Sequence, residues 1–362
     1  MAPSAGGPGG NKRRGALAVS PPPLRRTNIA QHKISVVATS EPDLTLVEAG
    51  LEGLDYELDV SICRSDGETI EAIKGSDVIV SILVPMPREV VEEIDTARAI
   101  ICGSHGFDRI DHEAATEKNV MVVNSAGFCT EEVSNHTIMF VLACAKSLVL
   151  LDKKVREGGW RTDRMPVLPP IDGQTMGIVG LGNIGRATAR KAQAFGLDVI
   201  SYDPYIAPWT AKEYRVEMVG SLDELASRSD YVSILVPLNN ETRGMISESF
   251  FNAMKPTAYF INTCRGPIVD EAALVRALRE KRIAGTALDV FEQEPPAGDN
   301  PLFKMDNVIL TPHSAGISTA SAPASLVRLG EETARILRGT WPMSLVNPEV
   351  RSRIQSRPVA HA

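Results

Sequence analysis

The sequence predicts an α/β protein with two doubly wound domains, each built on a parallel β-sheet. Short β-branched runs alternate with amphipathic helical segments, which is the pattern of βαβ units. The alternation occurs twice, on either side of one long helical segment, and 362 residues suit two domains of ordinary size. Hydrophobic residues make up 43% of the chain, enough to form two cores, so a fully disordered chain is excluded.

The first alternation starts at Lys33. A strand that is buried on both faces of a parallel sheet is continuously hydrophobic, so apolar runs predict the strands. These runs lie at 34–38, 78–84, 99–102 and 120–123, and a further strand is predicted at 56–62. Amphipathic segments predict the helices between them, at 44–54, 69–74, 88–95 and 111–118.

A helical pattern at 131–158 separates the two halves of the chain. Its most apolar part, 137–151, carries Lys146 and is too short to cross a bilayer. The second alternation follows, with predicted strands at 176–179, 198–202, 231–236, 258–262, 285–288 and 308–310. The helices between these strands are predicted to begin near Ile184, Leu222, Ser247 and Asp270.

The charge of the chain is uneven. The net charge is −7, which argues against a nucleic acid or an anionic membrane as the main partner. The first 33 residues hold six Lys and Arg and no acidic residue, whereas the remainder carries 32 basic against 45 acidic residues. We predict a disordered basic tail at 1–32, with an organellar targeting signal as the alternative, and a loose C-terminal tail at 350–362.

The cysteines and histidines show no metal-binding spacing. Five cysteines form no C-x-x-C pair, and six histidines form neither H-x-x-x-H nor H-x-H. The sequence therefore predicts no metal site. We expect reduced thiols, which favour a cytoplasmic location.

A glycine-rich turn carries the strongest single signal. Gly180, Gly182 and Gly185 follow the pattern G-x-G-x-x-G between a predicted strand and a predicted helix. In a dinucleotide-binding turn the first glycine allows the tight turn, the second lets the backbone approach the pyrophosphate, and the third packs the helix on the strand. The helix start at Asn183 and Ile184 would then direct backbone N–H groups at the phosphates.

Asp203 follows the next strand, 18 residues after Gly185. A carboxylate at this place accepts hydrogen bonds from the ribose hydroxyl groups of NAD and repels the 2′-phosphate of NADP. The sequence therefore predicts NAD as the cofactor.

Three further segments, at 262–274, 287–295 and 310–316, lie downstream of the glycine turn. Together with that turn they closely resemble the D-isomer-specific 2-hydroxyacid dehydrogenase family, and the similarity covers about 33–348. Four motifs in the family's order make the resemblance specific.

The resemblance implies how the two domains are arranged. A Rossmann NAD-binding domain at 131–316 would be inserted into a flavodoxin-like substrate domain made of 33–130 and 317–349. Members of the family are usually homodimers, so a second copy of the chain is the expected partner.

The resemblance also implies the reaction, a reversible hydride transfer between NADH and a 2-keto acid that gives a D-2-hydroxy acid. The chemistry needs a cation for the substrate carboxylate and ketone, and Arg265 is the implied residue. It also needs an acid/base group, implied to be His313, with Glu294 as the carboxylate that stabilises the imidazolium.

Further contacts are implied around this centre. Asp289 would hydrogen-bond the nicotinamide carboxamide, and Cys264 is interpreted as a packing residue rather than a nucleophile. The remaining implied cofactor contacts, beside Arg265 and His313 themselves, are Val236, Pro237, Thr242, Thr263, Cys264 and Gly316.

The implied substrate contacts are Arg265 and a loop of the first domain that holds His105 and Gly106. Backbone N–H groups of that loop would bind the substrate carboxylate. The family has a small or aliphatic residue where His105 stands, so its side chain either reaches the substrate tail or covers it. The apolar segment 84–87 suggests a nonpolar wall of the same site.

Two alternatives stay open at this point. D-3-phosphoglycerate dehydrogenase is the nearest enzymatic alternative, although its longer members carry an additional regulatory domain. A corepressor-like protein that senses NAD(H) is an alternative of another class, because such proteins keep the same three catalytic residues.

Overall fold

The computed structural model describes residues 31–160 and 168–355, and these form two sheets whose strand pairs are all parallel. The predicted fold class, two parallel α/β domains with a Rossmann sheet in the second, is confirmed. The first strand begins at His32, the last residue of the predicted tail, and the tail prediction otherwise lies outside the described residues. No helix in the described part of the chain is long and apolar enough to span a membrane.

The first sheet has five strands in the order β2-β1-β3-β4-β5. Its central strands are buried on both faces, as their continuous apolar runs predict. The strands are β1 His32–Ala38, β2 Tyr56–Ile62, β3 Val78–Ile82, β4 Ala99–Cys102 and β5 Met121–Asn124. The helices between them are α1 Thr45–Gly50, α2 Asp66–Ile73, α3 Arg88–Glu92 and α4 His112–Glu117.

Two helices, α5 Thr130–Ala145 and α6 Leu148–Arg156, connect the sheets. The prediction of one continuous helix at 131–158 is therefore wrong at its centre. Ser147 has a φ of 46°, in the left-handed region, and this residue ends the helical path of α5. Because α5 is buried over much of its length whereas α6 buries no residue, the chain turns away from the core at this boundary.

The second sheet has seven strands in the order β12-β11-β10-β9-β6-β7-β8. The strands are β6 Thr175–Val179, β7 Asp198–Tyr202, β8 Glu217–Met218, β9 Tyr231–Ile234, β10 Tyr259–Asn262, β11 Gly285–Leu288 and β12 Val308–Leu310. The helices are α7 Asn183–Ala194, α8 Pro208–Glu213, α9 Leu222–Arg228, α10 Glu248–Ala253 and α11 Glu271–Arg279. The sequence did not predict β8, because a two-residue edge strand has no apolar run.

The chain builds β7 and β8 on one side of β6 and the remaining four strands on the other side. This reversal is a topological switch point, and open α/β sheets bind their ligands in the crevice at that point. The crevice lies at the carboxyl ends of β6 and β9, where the glycine-rich turn begins.

A long helix, α12 Ser321–Leu337, returns the chain to the first sheet and packs on α1, β3 and β4. Gly50 in α1 and Gly330 in α12 allow these two helices to approach closely. A Cβ atom on Gly330 would lie 2.3 Å from the Val47 carbonyl oxygen. The segment after α12 then joins β5: the Asn347 side chain accepts a hydrogen bond from the Val122 N–H at 2.8 Å.

The predicted C-terminal tail at 350–362 is wrong in its first part, because Val350–Gln355 form helix α13. Val350 is fully buried and Ile354 packs against the same core. Their spacing of four residues places both on one helical face, a short signal that the flanking arginines obscured in the sequence. Residues 356–362 lie outside the described part of the chain.

Candidate active site

Three neighbouring strands bring predicted site residues to one edge of the second sheet. Arg265, Asp289 and His313 follow β10, β11 and β12, and parallel neighbours end at the same edge. The backbone ties them together: the His313 N–H donates to the Asp289 carbonyl at 2.7 Å, and the Asp289 N–H donates to the Asn262 carbonyl at 2.9 Å.

His313 and Glu294 form a hydrogen-bonded pair. The distance between His313 Nδ1 and Glu294 Oε2 is 2.7 Å, and Glu294 Oε1 accepts from the Phe291 N–H at 3.0 Å. Both carboxylate oxygens are thus engaged, which fixes Glu294 and the plane of the imidazole. The Nε2 atom of His313 has no hydrogen-bond partner among the described residues, and 48% of the side chain is exposed. The pair therefore presents one ring nitrogen to the open site for proton transfer.

Asp289 holds the loop that carries His313. Its buried carboxylate accepts hydrogen bonds from the N–H groups of Ser314 and Ala315, both at 2.8 Å, and from the Thr311 hydroxyl at 2.5 Å. His136 Nε2 lies 3.0 Å from the same hydroxyl. Asp289, which is predicted to contact the nicotinamide, therefore also anchors this loop within the protein.

Arg265 lies between the two domains. Its Nε donates to Asp108 of the first domain at 2.9 Å, and its Nη1 donates to the Cys264 carbonyl at 2.7 Å. A Cβ atom on Gly106 would lie 1.7 Å from Arg265 Nη2, so only glycine leaves room for the guanidinium there. The predicted cation and the predicted carboxylate-binding loop are therefore in direct contact, and Asp108 is a partner that the sequence analysis missed.

His105, in the same loop, is half-buried. Its Nδ1 atom is buried and has no hydrogen-bond partner in the described part of the chain. Burial, helped by the positive charge of Arg265, lowers the pKa of this imidazole. The environment of His105 therefore favours the neutral form of the ring.

The glycine-rich turn has the geometry of a dinucleotide cradle. Gly180 has a φ of +96°, and a Cβ atom there would lie 2.7 Å from the Leu235 carbonyl oxygen. A Cβ atom on Gly185 would lie 2.2 Å from the Gly180 carbonyl oxygen, whereas one on Gly182 would meet open space. These are the tight turn, the close helix contact and the open approach that a pyrophosphate requires.

The helix that follows the turn, α7, begins at Asn183 without a side-chain cap. Its first N–H groups are therefore available to phosphate oxygens. Asp203 accepts a hydrogen bond from the Leu181 N–H at 2.8 Å and another from the Tyr205 N–H at 2.9 Å. The Asp203 carboxylate, which is predicted to bind the ribose, thus also stabilises the glycine-rich turn through hydrogen bonds.

Other predicted cofactor contacts lie around the same crevice. Val236 packs over Gly180, and the Thr242 hydroxyl donates to the Pro237 carbonyl at 2.6 Å. Ile184 packs against the small apolar cluster at the start of α5. Gly316 borders that cluster, since a Cβ atom on it would lie 3.6 Å from the Cys129 Cβ.

Two predicted contacts have protein partners instead of open surroundings. The buried Thr263 hydroxyl lies 2.9 Å from the Thr137 hydroxyl. Burial raises the pKa of the Cys264 thiol to about 11, and its sulfur donates to Asn262 Oδ1 at 3.1 Å. A thiol that stays protonated suits packing rather than nucleophilic attack.

The nonpolar wall expected at 84–87 is not formed by Met86, which is fully buried in the core of the first domain. The apolar side chain of Met86 therefore serves packing, and its N–H donates to the Arg109 carbonyl. Leu83 instead projects from this loop, with a φ of 65° and 52% of its surface exposed. The sequence offered no signal for Leu83, since it continues the apolar run of a buried strand.

An apolar cavity of about 460 Å³ adjoins the Glu294–His313 pair. Its other lining residues come from the connection after β11, the end of β12 and the loop after β12: Phe291, Pro295, Pro296, Phe303, Leu310, Thr311 and Pro312. Among the described residues, no group of His, Cys, Asp and Glu side chains is arranged to hold a metal ion.

The switch-point crevice, the glycine cradle and the histidine–carboxylate pair define a dinucleotide-dependent oxidoreductase with two α/β domains. Residues 138–315 match the family model described as the D-isomer specific 2-hydroxyacid dehydrogenase NAD binding domain. The chain is 38% identical over 312 residues to a glyoxylate reductase of Korarchaeum cryptofilum, covering 84% of this chain and 94% of the relative. The chain belongs to the D-isomer-specific 2-hydroxyacid dehydrogenase family, and it is an NAD-dependent enzyme, as the sequence predicted.

Two further similarities concern a longer relative and a solved structure. A D-3-phosphoglycerate dehydrogenase of Methanocaldococcus jannaschii is 37% identical over 80% of this chain, which spans only 55% of that relative. The structure of a D-lactate dehydrogenase from Aquifex aeolicus, complexed with NAD and lactic acid, superposes with a TM-score of 0.75 at 27% identity. That alignment covers 87% of this chain and 99% of the other.

Proposed function

We propose that this enzyme uses NADH to reduce a small 2-keto acid, glyoxylate foremost, to the 2-hydroxy acid, of D configuration where the carbon is a stereocentre. The observation that carries the proposal is the pairing of His313 with Glu294 on the sheet edge that also holds Arg265. NADH supplies the hydride when it is bound, and the chain's own residues perform the remaining steps.

Arg265 and the backbone N–H groups of His105 and Gly106 bind the substrate carboxylate. Arg265 also polarises the keto oxygen, because its planar guanidinium offers several donors and keeps its charge. His313 donates the Nε2 proton to the oxygen that becomes the hydroxyl group. Glu294 stabilises the charged ring before that transfer and orients it afterwards. In the reverse direction neutral His313 accepts the hydroxyl proton.

The choice of a small substrate rests on the relatives and on the loop residues. Glyoxylate reductases are 38% identical to this chain along more than nine-tenths of their own length. Leu83 is an exposed apolar residue of the first domain, and burial lowers the pKa of His105, both of which suit a substrate with little charge beyond its carboxylate.

Oxidation of D-3-phosphoglycerate is the second candidate, favoured by the 37% identity to the phosphoglycerate dehydrogenase. A panel of glyoxylate, hydroxypyruvate, pyruvate and larger keto acids with NADH, and of phosphoglycerate with NAD, distinguishes the two. We expect the highest kcat/KM with glyoxylate. Preferred turnover of phosphoglycerate would replace the first proposal with the second. Binding of NADH without turnover of any acid would support an NAD(H)-sensing protein instead.

We further propose that two copies of the chain associate through α6. Leu148, Val149, Leu150 and Val155 on this helix expose 39–58% of their surface, and the helix buries no residue within one copy. Sedimentation equilibrium is expected to give a dimer, and Val149→Glu is expected to shift it towards monomer. A wild-type monomer at micromolar concentration would contradict this proposal.

The state of the cysteines bears on where the protein is located in the cell. All five cysteines are free, and four of them are buried, which is typical of a protein kept in a reducing compartment. We propose a cytoplasmic location, to be tested by fractionation of cells expressing the full chain with its N-terminal segment.

A further inference from the structure

The loop after β4, to which the proposed function assigns the substrate carboxylate, has an unusual backbone arrangement. Five consecutive carbonyl groups, 102–106, accept hydrogen bonds, four of them from other segments of the chain and the fifth from within the loop. The acceptor and donor pairs are Cys102 with the Ser125 hydroxyl (3.1 Å), Gly103 with the Ser325 hydroxyl (3.1 Å), Ser104 with the Ser125 N–H (3.1 Å), His105 with Asn124 Nδ2 (2.6 Å) and Gly106 with the Ser104 hydroxyl (2.6 Å).

This anchoring determines where the N–H groups point. The carbonyl and the N–H of one trans peptide unit lie in one plane and point in opposite directions. Because Asn124 holds the His105 carbonyl, the Gly106 N–H is directed away from Asn124. The N–H groups of His105 and Gly106 have no acceptor among the described residues, and Gly106 touches Arg265. Successive free N–H groups beside a cation form an anion-binding concavity.

The Asn124 amide is itself oriented by the C-terminal segment. Asn124 is buried at the end of β5, and its Oδ1 accepts from the Ser344 hydroxyl at 2.5 Å. The Asn124 N–H donates to the Ser344 carbonyl at 3.2 Å, and the neighbouring Met343 N–H donates to buried Glu332 at 3.1 Å. With a hydroxyl donor on one side, the amide keeps its NH₂ group towards His105.

We propose that Asn124 and Ser344 are positioning residues: through the His105 carbonyl they aim the Gly106 N–H at the substrate carboxylate. The inference rests on the proposed function, because it assumes that this loop binds the carboxylate. Neither residue needs to touch the substrate, and Ser344 acts from a segment more than two hundred residues away along the chain.

The test compares glyoxylate with its uncharged methyl ester, using NADH and the full chain. Asn124→Leu removes both side-chain bonds at similar volume. We expect it to raise KM for glyoxylate about tenfold with a smaller change in kcat, because a hydrogen bond to a charged group is lost. Turnover of the ester is expected to change little. NADH binding, followed by fluorescence, is expected to stay as in the wild type.

Ser344→Ala provides a second, milder variant that keeps the test valid if Asn124→Leu does not fold. We expect about a threefold rise in KM for glyoxylate, no further rise when it is combined with Asn124→Leu, and wild-type behaviour for Ser344→Thr. Ser352→Ala is the matched control, since its hydroxyl bonds the Glu349 carbonyl in the same C-terminal segment and has no other partner among residues 31–160 and 168–355.

The outcomes separate the two proposals. If the wild type turns over the acid and the ester equally well, the loop does not bind a carboxylate and the proposed function fails at that point. If the wild type strongly prefers the acid and both variants keep that preference, the positioning inference is overturned.

Discussion

At the scale of single residues, His313 shows how backbone and side chain share a task. Its φ of 52° is rare for a residue with a side chain, and the hydrogen bond from its N–H to the Asp289 carbonyl holds it there. Glu294 then fixes the ring through Nδ1. The left-handed backbone and Glu294 thus hold the ring in place, with Nε2 unpartnered in the described part of the chain.

Replacement of His313 is expected to remove the proton donor. His313→Asn suits the left-handed backbone better than alanine does, and it has no titratable ring. We expect turnover to fall by roughly 10²–10⁴-fold, the usual contribution of a general acid, with a much smaller change in NADH affinity. Stopped-flow hydride transfer and NADH fluorescence titration measure the two quantities. Unchanged turnover would remove His313 from the mechanism.

Asp203 is expected to determine the choice between NADH and NADPH. Asp203→Asn keeps an oxygen for the Leu181 N–H but removes the charge that repels a 2′-phosphate. We expect the ratio of kcat/KM for NADPH to that for NADH to rise about tenfold, since like charges at contact are worth one to a few kcal/mol. Asp198→Asn, at the opposite end of β7, is the control. If both variants keep the wild-type ratio, a group other than Asp203 determines the preference for NADH over NADPH.

At the scale of elements, the turn that ends helix α11 holds a residue in an unfavourable backbone conformation. Helix α11 ends at Arg279, and the turn after it places Lys281 at a φ of 55°. The Arg282 N–H reaches back to the Ala277 carbonyl at 2.8 Å, so this is a helix C-terminus at which glycine is the favoured residue.

Lys281→Gly is therefore expected to stabilise the protein. A left-handed conformation costs an L residue about 1–2 kcal/mol, and glycine's greater freedom in the unfolded chain offsets part of that. We expect the free energy of unfolding to rise by about 1 kcal/mol, measured by urea denaturation. Lys281→Ala removes the same side chain without relieving the backbone and is the control. Equal stability of the two variants would refute the explanation.

At the scale of the whole molecule, the return of the chain through α12 ties the C-terminal segment to the first domain. Glu332 is fully buried on this helix and accepts hydrogen bonds from the Met343 N–H. Burial raises the pKa of Glu332, against the weaker opposing influence of the Met343 N–H and then of Arg335 and Arg328. A carboxyl group with a raised pKa in the folded state favours folding when it is protonated, and this contribution is lost as the pH rises through that pKa.

Glu332→Gln is expected to raise stability near pH 7, because the amide oxygen still accepts from Met343 and no buried charge remains. The advantage over the wild type is expected to shrink as the pH falls towards the usual glutamate pKa of about 4.3. Urea midpoints at several pH values measure this difference. Glu331→Gln, on an exposed neighbour, should change stability little. A variant that is less stable than the wild type at pH 7 would show that the charge itself is needed.

The sequence alone determined the fold class, the family and the cofactor, because these depend on local patterns. Gly180, Gly182 and Gly185 keep their spacing whatever surrounds them, and alternating apolar runs specify buried parallel strands. The sequence also identified Glu294 and His313, whose pairing at 2.7 Å makes their shared role chemically sensible.

Only the tertiary structure decided which distant groups meet. The contact of Gly106 with Arg265, the ion pair with Asp108 and the bond from Ser344 to Asn124 join segments that lie far apart along the chain. No local pattern encodes such contacts, because they arise when two sheets and a returning helix pack together. The same packing made Met86 a core residue and left Leu83 exposed, a choice that a continuous apolar run does not reveal.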